Sequence, residues 1–394
     1  MRTLHTSDWH LGRSFGAVSL ADDQREFITW MTAEAVSRKV DLVVIAGDIF
    51  DRAIAPTEAV VMFREALRNL QAAGIKVAVI TGNHDGADRV FAYDDLLDLS
   101  GVYIRGGYSK VGEVITLNFA DGPLDLVMLP FLDPQAAPDD LSEGTGEVTI
   151  DTSDRRKART HHSVLAAAIT EALPSLSAPR SLAVSHAYVA GAAVSDSERQ
   201  LTIGGAGTVD ASLFDKFSYT ALGHLHRPQT VGGRATVRYS GTPLAYSFSE
   251  DHAKSIEIID MAADGACVIE SVAIPVGRPV LTVTGLIDEL LRAEPSPEAQ
   301  RSLVRAIITD PGVVLDAKQR LSVLYPNVVE IVLSPPIISG GDGETPLDRR
   351  VFTPSQAAEQ FWKASMGSEP SAEQRVVLHA AIAKAAAEIE LKAV

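Results

Sequence analysis

The sequence predicts an α/β layered fold, and three observations predict it. Short apolar runs alternate with amphipathic helical patterns through the first third of the chain. The runs show no polar alternation, as expected of strands covered on both faces. Polar, chemistry-bearing residues gather where the runs end, the edge at which open α/β sheets bind ligands.

The elements follow in chain order. "RTLHTS" from Arg2 reads as a first strand, and "DWHLG" follows it. "DDQREFITWMTAEAVSRK" reads as a helix with Phe27, Ile28, Met31 and Ala35 along one face. "DLVVIAGD" is a β-branched run ending in Gly-Asp. "PTEAVVMFREALRNLQAAG" is a helix, with Pro56 near its start and Gly74 past its end. "KVAVITGN", "DLVMLP", "SLAVSH" and "SYTALGH" read as further buried strands. "ACVIESVAI" holds Cys267 in another, where a buried thiol is expected. Residues 134–158 form a polar, acidic excursion, an expected exposed loop. His161 and His162 enter a helix after it and, with no ligand-type neighbours, are expected to face solvent.

From Pro279 the character changes. "VLTVTG", "SLVRAIIT" and "NVVEIVLS" are strands separated by helical "LIDELLRA" and "VLDAKQRLSVLY", a small βαβαβ unit. "SPPIISGGDGETPLDRR" is a linker by composition. The tail from Thr353 is helical. Ala358, Phe361 and Trp362 mark one apolar face, and Leu378, Ile382, Ala385 and Ile389 another.

The 394 residues carry a net charge of −16. That balance argues against a protein held to nucleic acid by its own charge alone. It says nothing against a metal-dependent enzyme acting on phosphate esters. One cysteine excludes an internal disulfide and a thiolate metal site, and fits a reducing compartment. The first residues lack the apolar stretch of a signal peptide, and the apolar runs are short, so a cytoplasmic protein without a membrane anchor is expected.

Five strand ends carry the chemistry: "SDWH" (Asp8, His10), "AGD" (Asp48), "TGNHD" (Asn83, His84, Asp85), "VSH" (His186) and "LGHLH" (His224, His226). In an extended segment Asp8 and His10 point to the same side. Each residue alone has an ordinary structural reading: a core histidine, a helix-start aspartate, a turn asparagine. Five strand ends finishing alike do not. The inventory of carboxylates, one amide and several imidazoles, without sulfur, suits a borderline-hard divalent ion such as Mn²⁺, with iron or zinc as alternatives. There are too many candidates for one tetrahedral zinc and enough for two metals roughly 3.5–4 Å apart. His84 follows Asn83, so its side chain is expected to point away from the metal that Asn83 binds. His5, His252 and His379 take structural readings.

The ordered set D-x-H, G-D, G-N-H-D, H, G-H-x-H resembles that of the calcineurin-like metallophosphoesterases. "HTSDWHLG", "AGDIFD", "GNHD", "ALGHLHRPQ" and "RYSGTPLAYSFSE" resemble, more narrowly, the SbcD family of nuclease subunits, from Met1 to about Asp260. The resemblance implies a four-layer αββα sandwich over residues 1–275, a capping domain over 279–335, a linker over 336–352 and a helical ATPase-binding tail over 353–394. It implies that Asp8, His10, Asp48 and His226 bind one Mn²⁺, and Asp48, Asn83, His186 and His224 the other. Asp48 would bridge the ions with its two oxygens. His84 would lie beside the scissile phosphate as a proton donor, its ring oriented by the Asp51 carboxylate; the ordinary reading of Asp51 is a helix cap. Asp85 reads equally as a cap or a support for its neighbours. Arg13, Arg52, Arg89 and Arg227, each near a motif, are candidates for holding DNA phosphates.

The resemblance further implies a metal-dependent DNA nuclease that works with an SMC-like ATPase, SbcC, as two copies of each. Together they would cleave hairpins and degrade double-strand ends, with exonuclease and single-strand endonuclease activity, in DNA repair, recombination and replication. The nuclease subunits would pair as a homodimer, through "VVMFREALRNL" and "VFAYDDLLDL". Two other readings share the core: a stand-alone phosphatase, and a non-catalytic tether for DNA ends. The capping unit and apolar tail favour the nuclease over the phosphatase. The complete ligand set argues against the tether.

Overall fold

Two six-stranded sheets, each buried on both faces at its centre, form the frame that carries the strand-end motifs. The computed structural model describes residues 1–138, 141, 159–193, 207–312, 314–335 and 354–392. In the first sheet the order is Cys267–Ala273, Ser255–Met261, Arg2–Thr6, Leu42–Ala46, Lys76–Ile80, Val102–Arg105. Its last four strands run parallel, and Ser255–Met261 and Cys267–Ala273 close the other edge antiparallel. The second sheet runs Gln229–Val231, Arg234–Tyr239, Tyr219–Gly223, Ser181–His186, Gly122–Leu129, Val114–Phe119, with a parallel centre and antiparallel outer pairs.

Period-2 geometry explains why the strands read as unbroken apolar runs. In Leu42–Ala46, Val43 and Ile45 face helices Ala21–Ser37 and Thr57–Ala72, where Phe27, Met31, Phe63 and Leu70 complete one core. Leu42, Val44 and Ala46 face the other sheet, against Leu126, Met128, Leu182 and Val184. On the far side, Val127, Leu129 and Ala183 pack against Val164, Leu165, Ala168 and Ile169 of helix His161–Ala172. The result is four layers, helix–sheet–sheet–helix, as the resemblance implied. The helix face expected at Phe27, Ile28, Met31 and Ala35 is buried. His5 crosses between the sheets, with Nδ1 3.0 Å from Tyr219 Oη and Nε2 3.1 Å from Leu222 O. Burial pushes its imidazole down to about 3, so it is a neutral strut.

The chain divides into two compact units, Met1–Leu281 with Arg301–Leu303, and Thr282–Gln300 with Val304–Val394. A three-stranded sheet, Val280–Gly285, Leu303–Ile308, Val328–Leu333, begins the second stretch of chain, with short helices Ile287–Leu290, Pro297–Arg301 and Ala317–Leu321 between its strands. Helices Pro354–Met366 and Ala372–Lys392 follow, linked through Glu359 to Arg375 (3.3 Å) and His379.

Three expectations are corrected. Cys267 is half-buried, because its strand is a sheet edge. "VFAYDDLLDL" is not one continuous helix: it starts at the last residue of helix Ala87–Val90 and is helical again only over Asp94–Asp98. His161 and His162 are only partly exposed: the His161 ring lies 5.4 Å from that of Phe131, in tilted contact, and His162 Nδ1 accepts from Asp210 N–H at 3.2 Å. Most of the expected 134–158 loop, the linker at 336–352, and the side chains of Ala385 and Ile389 lie outside the described residues. Among the described residues no helix is long and apolar enough to cross a membrane.

Candidate metal centre

The first motif begins one residue past its strand. Asp8 and His10 hold φ values of 53° and 45°, so backbone turned left-handed, rather than a strand pleat, aims both at the same point. The alternation survives: Trp9 turns into the helix-side core, edge-on to Phe27 at 5.7 Å and Phe63 at 6.4 Å. The next strand end holds this loop, through Asp8 N–H to Gly47 O and His10 N–H to Asp48 O, both 3.0 Å. Gln24, buried on the first helix, donates to His10 O (2.9 Å) and accepts from Gly12 N–H (3.1 Å), and Tyr246 Oη donates to Trp9 O.

Glycines let the strand ends close in. A β-carbon on Gly223 would overlap Ala46 O, and one on Gly82 would overlap the Asp48 carboxylate. "LGH" and "TGN" therefore need glycine ahead of their ligands for space.

The candidate ligands converge. Ligand atoms of Asp8, His10 and His226 lie within 4.8 Å of one another, as do those of Asp8, Asp48 and His186, and those of His10, Asp48 and His84. Nε2 of His10 and Nε2 of His226 face each other at 3.3 Å. His186 donates Nδ1–H to Ala46 O at 2.9 Å, which leaves the lone pair of Nε2 pointing at Asn83 Oδ1, 3.0 Å away. Nδ1 of His224 lies 3.1 Å from the same oxygen. Burial pushes His10, His186 and His224 below the usual imidazole range, most strongly His10 and His224. The carboxylates of Asp8 and Asp48 are buried beside them. Nδ1 of His10 and the Asn83 amide nitrogen are buried without a partner. Such a donor set fits divalent cations.

Asp48 lies between the His10–His226 and His186–His224 halves of the cluster. Its Oδ2 is 3.8 Å from His10 Nε2 and 3.5 Å from His186 Nε2. Its Oδ1 accepts the main-chain N–H of His84 at 2.9 Å. The halves are also tied through His224, whose N–H points at both Asp8 oxygens (3.0 and 3.2 Å).

His84 packs edge-on to His10, with ring centroids 4.8 Å apart. Its Nδ1 is 2.9 Å from the main-chain carbonyl of Asp51. The Asp51 carboxylate, expected to meet this ring, turns instead to Arg13 (3.4 Å) and Arg52 (3.6 Å). Arg13 also lies over the Tyr246 ring, 5.0 Å from its centroid. Arg89 and Arg227 are exposed. Asp85 accepts N–H groups from Gly82, Ile49 and Phe50 at 2.8–3.1 Å and so ties two motif loops together. Burial and the charge of Asp48 push its carboxyl up.

Sequence reasoning missed Glu250, Gln24, Tyr246 and the Phe131–His161 pair. Glu250 accepts from Nδ1 of His226 at 3.0 Å. Burial pushes this carboxyl up, but the bond to His226 and the charge of Lys254 outweigh it, and the group lies well below the usual carboxylate range. A signal existed, since Tyr246 and Glu250 lie in "YSFSE", the end of a stretch that carries the family resemblance. Gln24 had none.

Residues 1–228 match the family described as Calcineurin-like phosphoesterase. The chain is 37% identical over 287 residues to the D component of the SbcCD nuclease of Bacillus subtilis (strain 168), covering 71% of each. It is 28% identical over 327 residues to that of Escherichia coli (strain K12), covering 80% of this chain and 77% of that one. It is 26% identical over 338 residues to that of Staphylococcus epidermidis, covering 84% and 85%.

Proposed function

The chain belongs to the calcineurin-like phosphoesterases, in the SbcD family of nucleases, and is a hydrolase of phosphodiester bonds; from that premise we propose that it cleaves DNA with two Mn²⁺ ions and works in a complex with an SbcC ATPase. The observation that carries the reading is the buried convergence of the Asp8 and Asp48 carboxylates with the rings of His10, His186 and His226. In this reading Asp8, His10, Asp48 and His226 hold one ion, and Asp48, Asn83, His186 and His224 the other. When bound, the ions supply an activated water and neutralise charge on the phosphate. His84 stands at the edge of the cluster. Protonated, it gives its Nε2 proton to the leaving oxygen while Asp51 O holds its Nδ1–H. Arg13 and Arg52 lie beside it to hold phosphate, offsetting locally a chain that carries −16 overall.

The complex would contain two copies of each subunit, act in the cytoplasm, cleave hairpins and digest duplex ends with ATP during repair, recombination and replication, and cut single strands without it. The unit beginning near Val280 would cap the nuclease. The tail helices supply the ATPase dock: Phe361, Val376 and Val377 are 73%, 70% and 69% exposed. Exposed Leu96 and Leu99 support the expected homodimer contact.

The test is a Mn²⁺-dependent assay on hairpin DNA, with and without the ATPase. Hairpin opening is expected. Release of phosphate from nucleotides, with DNA left intact, would favour the stand-alone phosphatase. Deleting residues 353–394 should abolish co-purification with SbcC and leave Mn²⁺-dependent cutting of single strands; a truncated chain that still held SbcC would refute the dock.

A further inference from the structure

Glu250 is 1% exposed and follows directly on the loop that carries Tyr246. Its two oxygens do different things. Oε2 accepts from Thr242 Oγ1 at 2.9 Å and pairs with Lys254 Nζ. Oε1 takes Nδ1 of His226 at 3.0 Å. On the other side of that ring, Nε2 faces His10 Nε2 at the heart of the cluster. The main chain of His226 is held as firmly: its carbonyl accepts from Thr242 N–H and from His252 Nε2, both at 3.2 Å.

We propose that Glu250 is a positioning residue for His226: it holds the Nδ1–H tautomer, aims the Nε2 lone pair into the Asp8–His10 half of the centre, and adds a negative charge behind that half alone. The proposal rests on the metal-centre reading above. A carboxylate behind a ligating imidazole fixes its tautomer and raises its basicity, and loss of such a partner commonly costs about 10–100-fold in metal affinity. His186 has a neutral counterpart, the carbonyl of Ala46. A purely structural ion pair with Lys254 would not require Oε1 to meet the one ring nitrogen that faces away from the cluster.

The test uses the full chain and Mn²⁺ titrations followed by electron paramagnetic resonance. Wild type should bind two ions. Glu250→Gln, which keeps the side-chain shape, should weaken one ion by about 10–100-fold and leave the other unchanged, and the weakened ion should be the one that His226→Ala removes. Nitrogen-15 histidine NMR of the metal-free wild type should find His226 protonated at Nδ1. Two ions bound by Glu250→Gln at wild-type affinity would overturn the role of Glu250 and leave the metal centre standing. So would His226 protonated at Nε2 in the wild type, a result that does not depend on the variant folding. A wild type that binds no Mn²⁺ would overturn the metal centre itself, and this role with it.

Discussion

In the proposed centre, the half of Asp8, His10 and His226 and the half of Asn83, His186 and His224 sit on the same strand rim and offer similar atoms, yet they are supported differently. The first has a carboxylate of its own, Asp8, and a second behind it, Glu250. The second has a neutral amide and a histidine backed by a main-chain carbonyl. Asp48 brings charge to both. Charge counts for more in a buried site than in water, so the Asp8 half should fill first as Mn²⁺ is added. Two ions in such a cluster would not be held equally, and the difference would lie both in a ligand, Asp8, and in the group behind one, Glu250.

The comparison breaks most completely at the shared residue. Asp48→Ala should lose both ions and bring cleavage to background; calorimetry that still found two ions would remove Asp48 from its bridging place. His226→Ala and His186→Ala should each cost one ion, and opposite ones, so a titration of the two variants side by side sharpens the contrast. His84→Ala should keep both ions and DNA binding while turnover falls by about 10²–10⁴; loss of an ion would make His84 a third imidazole ligand of the first half. Asp51→Asn comes last. The carbonyl beside His84 survives this change, so turnover should fall far less than in His84→Ala. A drop as large as that of His84→Ala would mean that the carboxylate, through Arg13, matters more than the main chain.

The contrast also marks where the sequence was legible. Both faces of the central strands are buried, so runs such as "LVVIA" and "SLAVSH" stand out, and their polar ends follow. The residues that converge could be named because each lies within a few positions of such an end. The supports could not. Gln24 reaches His10 from a helix, and its sequence neighbourhood looks like any solvated first turn. Asp51 acts through a carbonyl, which no residue type advertises. Glu250 lies 24 residues past its histidine and meets it only in the fold. His161 reads as solvated because Phe131 is far away in the chain. Local pattern names the groups that would touch a metal, and tertiary structure alone names those that aim them.

The left-handed residues of the rim have a further consequence. Among the described residues, six that are not glycine have positive φ, and four of them are Asp8, His10, Asp48 and His224. An L-residue held left-handed costs roughly 1–2 kcal/mol where glycine would cost little. Selection for a sturdier fold would favour glycine at these positions; selection for the bound ions opposes it. The centre is thus a place where heredity trades durability for chemistry. A descendant freed from its catalytic task would have a thermodynamic reason to shed its ligands before it changed its core.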